Sequence, residues 1–169
     1  FAKLYSEEPV LLDLDKTLKD QLLIFDNKEN IKITYIGMEN ALVMAPKPQL
    51  IRVFVNLITN AIQAVEIQQK ETLEQGKAAP EGRVLICLRN GVREGFYDVV
   101  VDDSGPGVSE ENQSRLFTPN FTTKSAGTGL GLAICRNIIE KCNGEISYQK
   151  SFVLGGASFT VTIPMKQED

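Results

Sequence analysis

The stretch at residues 49–66, QLIRVFVNLITNAIQAVE, decides how the rest of the chain is read. At about 100° per residue it gathers its apolar side chains on one broad face and leaves Gln49, Arg52, Asn56, Thr59, Asn60 and Gln63 in one polar stripe. The periodicity predicts a helix, with Pro48 suited to its first turn. A solvated helix face ordinarily carries Lys or Glu, whereas the middle of this stripe is uncharged. Asn56 and Asn60 stand at i and i+4, so their carboxamides can converge on one point. A carboxamide oxygen is a hard ligand suited to Mg2+ alongside water and phosphate oxygens. Taken alone, the pair fits a plain solvated face as well.

Upstream, residues 11–25 place Leu11, Leu14, Leu18, Leu22 and Phe25 at helical spacing, with Asp13 and Asp15 suited to a helix start. Residues 31–36 alternate as a short strand, followed by a connector closed by Pro46 and Pro48. Downstream, the polar run 67–82 reads as a helix extension plus a loop, and 83–88 and 97–101 as two strands joined around Asn90 and Gly91. Residues 130–142 resume as a helix ended by Asn143 and Gly144, and two strands, 145–150 and 157–164, meet through Gly155 and Gly156. This order predicts an α/β sandwich. Its sheet is mixed, mainly antiparallel and of about five strands, with three main helices packed on one face.

The bulk properties fit one domain. The chain has 169 residues, 43% hydrophobic and 24% charged, and its net charge of -4 with no basic face speaks against nucleic acid as a partner. No apolar run approaches the roughly 20 residues of a membrane span. Cys87, Cys135 and Cys142 lack metal-type spacing and read as reduced thiols, and the absence of histidine removes imidazole acid–base chemistry and ligation from the chain itself.

Three further blocks carry chemistry. In DDSGPG, residues 102–107, Asp103 ends a buried strand where Gly105 and Gly107 allow close backbone approach. A carboxylate held there can accept hydrogen bonds from an exocyclic amine, although an ordinary Asp turn fits too. In KSAGTGLGL, residues 124–132, Gly127, Gly129 and Gly131 strip Cβ atoms from the start of a helix, whose free N–H groups can face an anion. The spacing is neither a dinucleotide-binding fingerprint nor a Walker loop. Lys124 offers a cation there, and reads equally as a solvated loop lysine. Between the two glycine blocks, Phe117 and Phe121 are apolar residues in a polar stretch, anchors for a lid or members of a small satellite cluster.

Taken in order, these blocks resemble the catalytic, ATP-binding domain of sensor histidine kinases, in the superfamily that includes gyrase, Hsp90 and MutL and has the Bergerat fold. NLITNA resembles the N box, DDSGPG the first glycine box, RLFTPNFTTK the F box, GTGLGLAI the second glycine box, and GGASFTVTIP the closing glycine box with its last strand. NAIQAV and FTTK resemble the nitrogen-regulation type of sensor kinase.

The resemblance implies that Asn60 coordinates Mg2+, with Asn56 close to metal and phosphates, and that Asp103 binds the adenine amine above Gly107. It implies that Lys124 and the amides around Gly127, Thr128, Gly129, Leu130 and Gly131 hold the triphosphate. Gln63, Gly105, Phe117, Thr123, Leu132 and Ser158 complete the nucleotide site, Ser158 in a place usually held by threonine. Asn56, Asn60 and Lys124 form its catalytic set, and residues 104–126 its ATP lid. Asn120 departs from the aromatic residue common in the F box.

Hydrolysing members of the superfamily carry a glutamate four residues before the metal-binding asparagine, and this chain has Asn56 there, an amide that cannot act as a general base. The implied reaction is γ-phosphoryl delivery to a histidine on a separate dimerisation domain, which in turn serves a response regulator receiver domain. Residues 1–9, FAKLYSEEP, resemble the tail leaving that domain, so 10–169 read as a single catalytic domain, a fragment without its phosphoacceptor. It is expected in the cytoplasm and without membrane contact of its own, compatible with an anchor elsewhere in a longer protein. Two other functions fit the same blocks: a regulatory nucleotide-binding module without transfer, and an ATPase of the superfamily.

Overall fold

The computed structural model describes residues 8–25, 28–119 and 131–167. The elements are β1 (Val10–Asp13), α1 (Leu14–Leu22), β2 (Ile31–Ile36), β3 (Leu42–Ala45), α2 (Lys47–Glu74), β4 (Gly82–Asn90), β5 (Phe96–Asp103), α3 (Glu110–Gln113), α4 (Gly131–Lys141), β6 (Glu145–Lys150) and β7 (Ala157–Pro164). Five strands form one sheet in the order β2-β4-β5-β7-β6, with β2 and β4 parallel and every other neighbouring pair antiparallel. The helices cover one face, as an α/β sandwich requires. Leu50, Val53, Phe54, Leu57, Ile58 and Val65 of α2 are buried in one core with Val84, Ile86, Val99, Val101, Val161 and Ile163 of the sheet.

The polar face of α2 breaks no rule of helix burial, because the helix buries one apolar face from Leu50 to Val65. Length and composition alone make α2 a candidate membrane span, which a count of uninterrupted apolar residues does not reveal. Its apolar face is instead buried in this core, with contacts to β4, β5, α1 and α4. The helix also begins earlier and ends later than the 49–66 pattern, because the polar run beyond Glu66 continues it to Glu74.

The N-terminal segment differs from expectation. Residues 11–25 are not one helix, since Leu11 pairs with Met44 and Leu12 with Val43 in a two-stranded antiparallel ribbon, β1 with β3. The helix starts only after Asp13, whose carboxylate accepts the Lys16 N–H at 3.2 Å as an N-cap. The expected connector before Pro46 therefore contains a strand, β3.

A polar cluster fastens α1 to the sheet edge. The Tyr35 hydroxyl donates to Asp15 Oδ1 at 2.5 Å, and Lys19 Nζ lies 2.9 Å from Asp15 Oδ2. Burial pulls the Asp15 carboxyl up, but the Tyr35 hydrogen bond and the Lys19 ammonium pull it down further, so it sits below the ordinary carboxylate value. A carboxylate depressed in the folded state stabilises the fold above its unfolded pKa and loses that contribution as pH falls through the folded value. Tyr35→Phe removes one of the two lowering partners. Urea unfolding between about pH 3 and pH 6 is expected to show the variant losing stability at a higher pH than the wild type.

Candidate functional site

The site begins at the end of β5. Val99, Val101 and Asp103 face the helices by strand alternation, and Asp98, Val100 and Asp102 face the other way. Asp103 is only 2% exposed, and its Oδ1 accepts the Gly105 N–H at 2.9 Å and the Ala157 N–H at 3.1 Å. Its carbonyl accepts the Gly156 N–H at 3.0 Å. The carboxylate is thereby held by the turn it opens and by the first residue of β7. Ser104 extends the pairing one step further, donating its N–H to the Arg83 carbonyl at 3.0 Å and accepting the Arg83 N–H on Oγ at 2.9 Å.

Two glycines allow this closeness. A Cβ at Gly105 would stand 2.8 Å from Ala64 Cβ and 2.9 Å from Ala64 C on α2, so this glycine lets the turn press onto the helix beside Gln63. A Cβ at Gly156 would run into Asp103 Oδ1 and would stand 2.6 Å from Gly105 N. The sequence placed Gly156 in the closing glycine box and at the joint between strands, but not against Asp103. Its adjacency to Asp103 depends on the pairing of two strands distant along the chain, which leaves no local signal. Gly107 has φ +73°, in the left-handed region that favours glycine.

The floor is the polar stripe of α2. Asn56 and Asn60 are half-buried and Gln63 is exposed. Asn56 Nδ2 donates to Cys135 Sγ at 3.7 Å, joining α2 to α4. Burial pushes the Cys135 thiol up to about 11, with the Asn56 hydrogen bond and the Arg52 charge pulling the other way. At neutral pH it is a buried neutral thiol, neither nucleophile nor metal ligand.

The first part of the proposed lid is tied to the sheet. Phe117 is half-buried and meets Phe159 edge-on at 6.2 Å and 85°, a contact that fits an anchor and a satellite cluster alike. Leu132 in α4 packs against the core, and around Gly131 no described atom lies within 4 Å of where a Cβ would be. Thr123, Lys124, Gly127, Thr128, Gly129 and Leu130 lie outside the described residues, as do Asn120 and Phe121.

Ser158 is not brought to this site. In the β5–β7 register it stands directly opposite Asp102, on the sheet face away from Asp103. The residue of β7 on the Asp103 side is Ala157, because neighbouring positions on a strand point to opposite faces and a shift of one exchanges them.

Residues 46–167 match the family of histidine kinase-, DNA gyrase B-, and HSP90-like ATPases. The sensor histidine kinase ZraS of Salmonella typhi is 39% identical over 129 residues, covering 75% of this chain and 24% of that protein. The C4-dicarboxylate transport sensor protein DctS of Rhodobacter capsulatus is 31% identical over 173 residues, covering 99% of this chain and 24% of its own. Among solved structures, the nucleotide-free catalytic domain of histidine kinase ThkA superposes with a TM-score of 0.76 at 30% identity, covering 94% of this chain and 96% of that one. The chain thus spans about a quarter of the length of these two sensor proteins. It belongs to the histidine kinase-, gyrase B- and HSP90-like ATPase family, as a domain of the sensor histidine kinase type.

Gly156→Ala is expected to destabilise the fold by about 1–3 kcal/mol, the usual effect of overpacking. The measurement is the urea midpoint, and an unchanged midpoint contradicts the close approach described at Asp103.

Proposed function

We propose that the chain binds ATP with Mg2+ and delivers the γ-phosphoryl group to a histidine on a separate dimerisation domain. The observation that carries this reading is the buried Asp103 carboxylate, fixed by backbone N–H groups where the turn of Gly105 rests on Ala64 of α2. In this reading the carboxylate accepts the exocyclic amine of adenine, and Gly107 leaves room beneath the base. Lys124 and the amides of Gly127 to Gly131 hold the phosphates.

Among the described residues no three His, Cys, Asp or Glu side chains gather to form a metal cage. The donors on α2 are amide oxygens, which suit a hard cation that keeps water and phosphate oxygens as its other ligands. Asn60 would hold Mg2+, with Asn56 beside it. Bound there, the ion neutralises charge on the phosphates. The chain's own part is positioning: Asp103 orients the base, and α2 and the glycine-rich helix start align the triphosphate.

Asn56 supports transfer over hydrolysis, since its amide cannot take a proton from water and its Nδ2 is engaged with Cys135. The acceptor must come from another domain, because the chain has no histidine. A response regulator as the downstream partner is supported by the solved complex of ThkA with its response regulator TrrA, which matches here with a TM-score of 0.71 at 26% identity. A cytoplasmic location follows from this role.

The test adds the domain to a histidine-bearing dimerisation domain with labelled ATP and Mg2+. Label on histidine is expected from the wild type, and background only from Asn60→Ala. Undiminished label with Asn60→Ala overturns the site, tight ATP binding without label favours a regulatory module, and steady phosphate release favours an ATPase.

A further inference from the structure

Tyr148 is a polar side chain near this site to which the nucleotide reading assigns no task. It sits on β6 at the sheet edge, with its ring centroid 5.3 Å from that of Phe159 at an angle of 59°. Its hydroxyl oxygen accepts the Val108 N–H at 3.0 Å. A Cβ on the neighbouring Gly107 would stand 3.6 Å from that oxygen and 3.5 Å from the Gly156 carbonyl oxygen, so the two oxygens flank Gly107. The Val108 carbonyl accepts from Gln113 Nε2 at 3.1 Å, which fastens the same residue to α3. Phe159 meets both the Tyr148 ring and the Phe117 ring.

The segment that follows Asp103 is therefore held twice against one aromatic pair, at Val108 by a hydrogen bond and at Phe117 by ring contact. The first of these holds depends on a single hydroxyl. A backbone turn containing two glycines, one at positive φ, is costly to order, and whatever ordering is left until a ligand arrives weakens binding.

We propose that Tyr148 is a positioning residue for the nucleotide: through Val108 its hydroxyl fixes the Gly107 backbone beside Asp103 before the adenine arrives. The proposal rests on the nucleotide-binding reading above. One neutral hydrogen bond is worth roughly two- to tenfold in an equilibrium constant. That is the size of effect the loss of the hydroxyl should produce.

Tyr148→Phe keeps the ring and removes only the hydroxyl. Calorimetric titration with ATP and Mg2+ is expected to show a Kd about three- to tenfold above wild type, and hydrogen exchange at the Val108 amide is expected to accelerate. Inorganic tripolyphosphate with Mg2+, which lacks the base, should bind both proteins equally. Transfer in trans should show a raised KM for ATP with kcat unchanged. An ATP affinity within about twofold of a wild type that does bind, or an equal loss for tripolyphosphate, overturns the role of Tyr148 and leaves the nucleotide reading standing. A wild type that binds no ATP overturns the nucleotide reading itself, and this proposal with it.

Discussion

Asp103 Oδ1 receives two backbone N–H groups from different parts of the chain, Gly105 in the turn it opens and Ala157 at the start of the adjacent strand. A carboxylate buried without such donors is destabilising by several kcal/mol at order of magnitude, so its partners must be in place whenever the domain is folded. That requirement shapes its surroundings. Gly156 must be glycine because a side chain there would occupy the space of the carboxylate, and Gly105 must be glycine because the same turn presses against Ala64 of α2. One polar side chain thus draws β5, β7 and α2 together at one corner of the sandwich.

The site inherits its geometry from that corner. α2 offers amides from below, β5 offers the carboxylate from the sheet, and Phe159 of β7 meets Phe117. Asn56 adds a link to the fourth element, since its amide reaches Cys135 on α4, the helix that opens with Gly131. Asp103 and Asn56, both placed at the proposed nucleotide site, are therefore also structural contacts between two elements. Binding and folding share the same hydrogen bonds, which leaves little reorganisation for a ligand to impose.

Much of this was legible in the sequence wherever the signal is local. The apolar face and the polar stripe of α2 repeat with one period, which showed the helix though not its ends, and β6 and β7, bounded by Asn143, Gly144, Gly155 and Gly156, were predictable residue by residue. Asp103 became legible only through the order of the motif blocks, since a carboxylate followed by glycines at a strand end is on its own an ordinary Asp turn. Long-range pairing hid the rest. Leu11 and Leu12 suit a helix or a strand equally, and only their pairing with Met44 and Val43 decides for the strand. Ser158 and Ala157 exchange faces with a shift of one residue, which the register with β5 fixes and local sequence does not. Gly156 and Tyr148 matter through neighbours 53 and 40 positions away along the chain, Asp103 and Val108.

The central claim is that the Asp103 carboxylate is an adenine receptor as well as a structural node. Asp103→Asn tests it most directly, because the amide can keep its oxygen on the Gly105 and Ala157 N–H groups while presenting a donor where the base needs an acceptor. Calorimetry of ATP binding at saturating Mg2+, with the urea midpoint measured alongside, separates the two roles. The account predicts a folded variant whose ATP affinity is about tenfold or more below wild type. A folded variant that binds ATP as tightly as the wild type would contradict it.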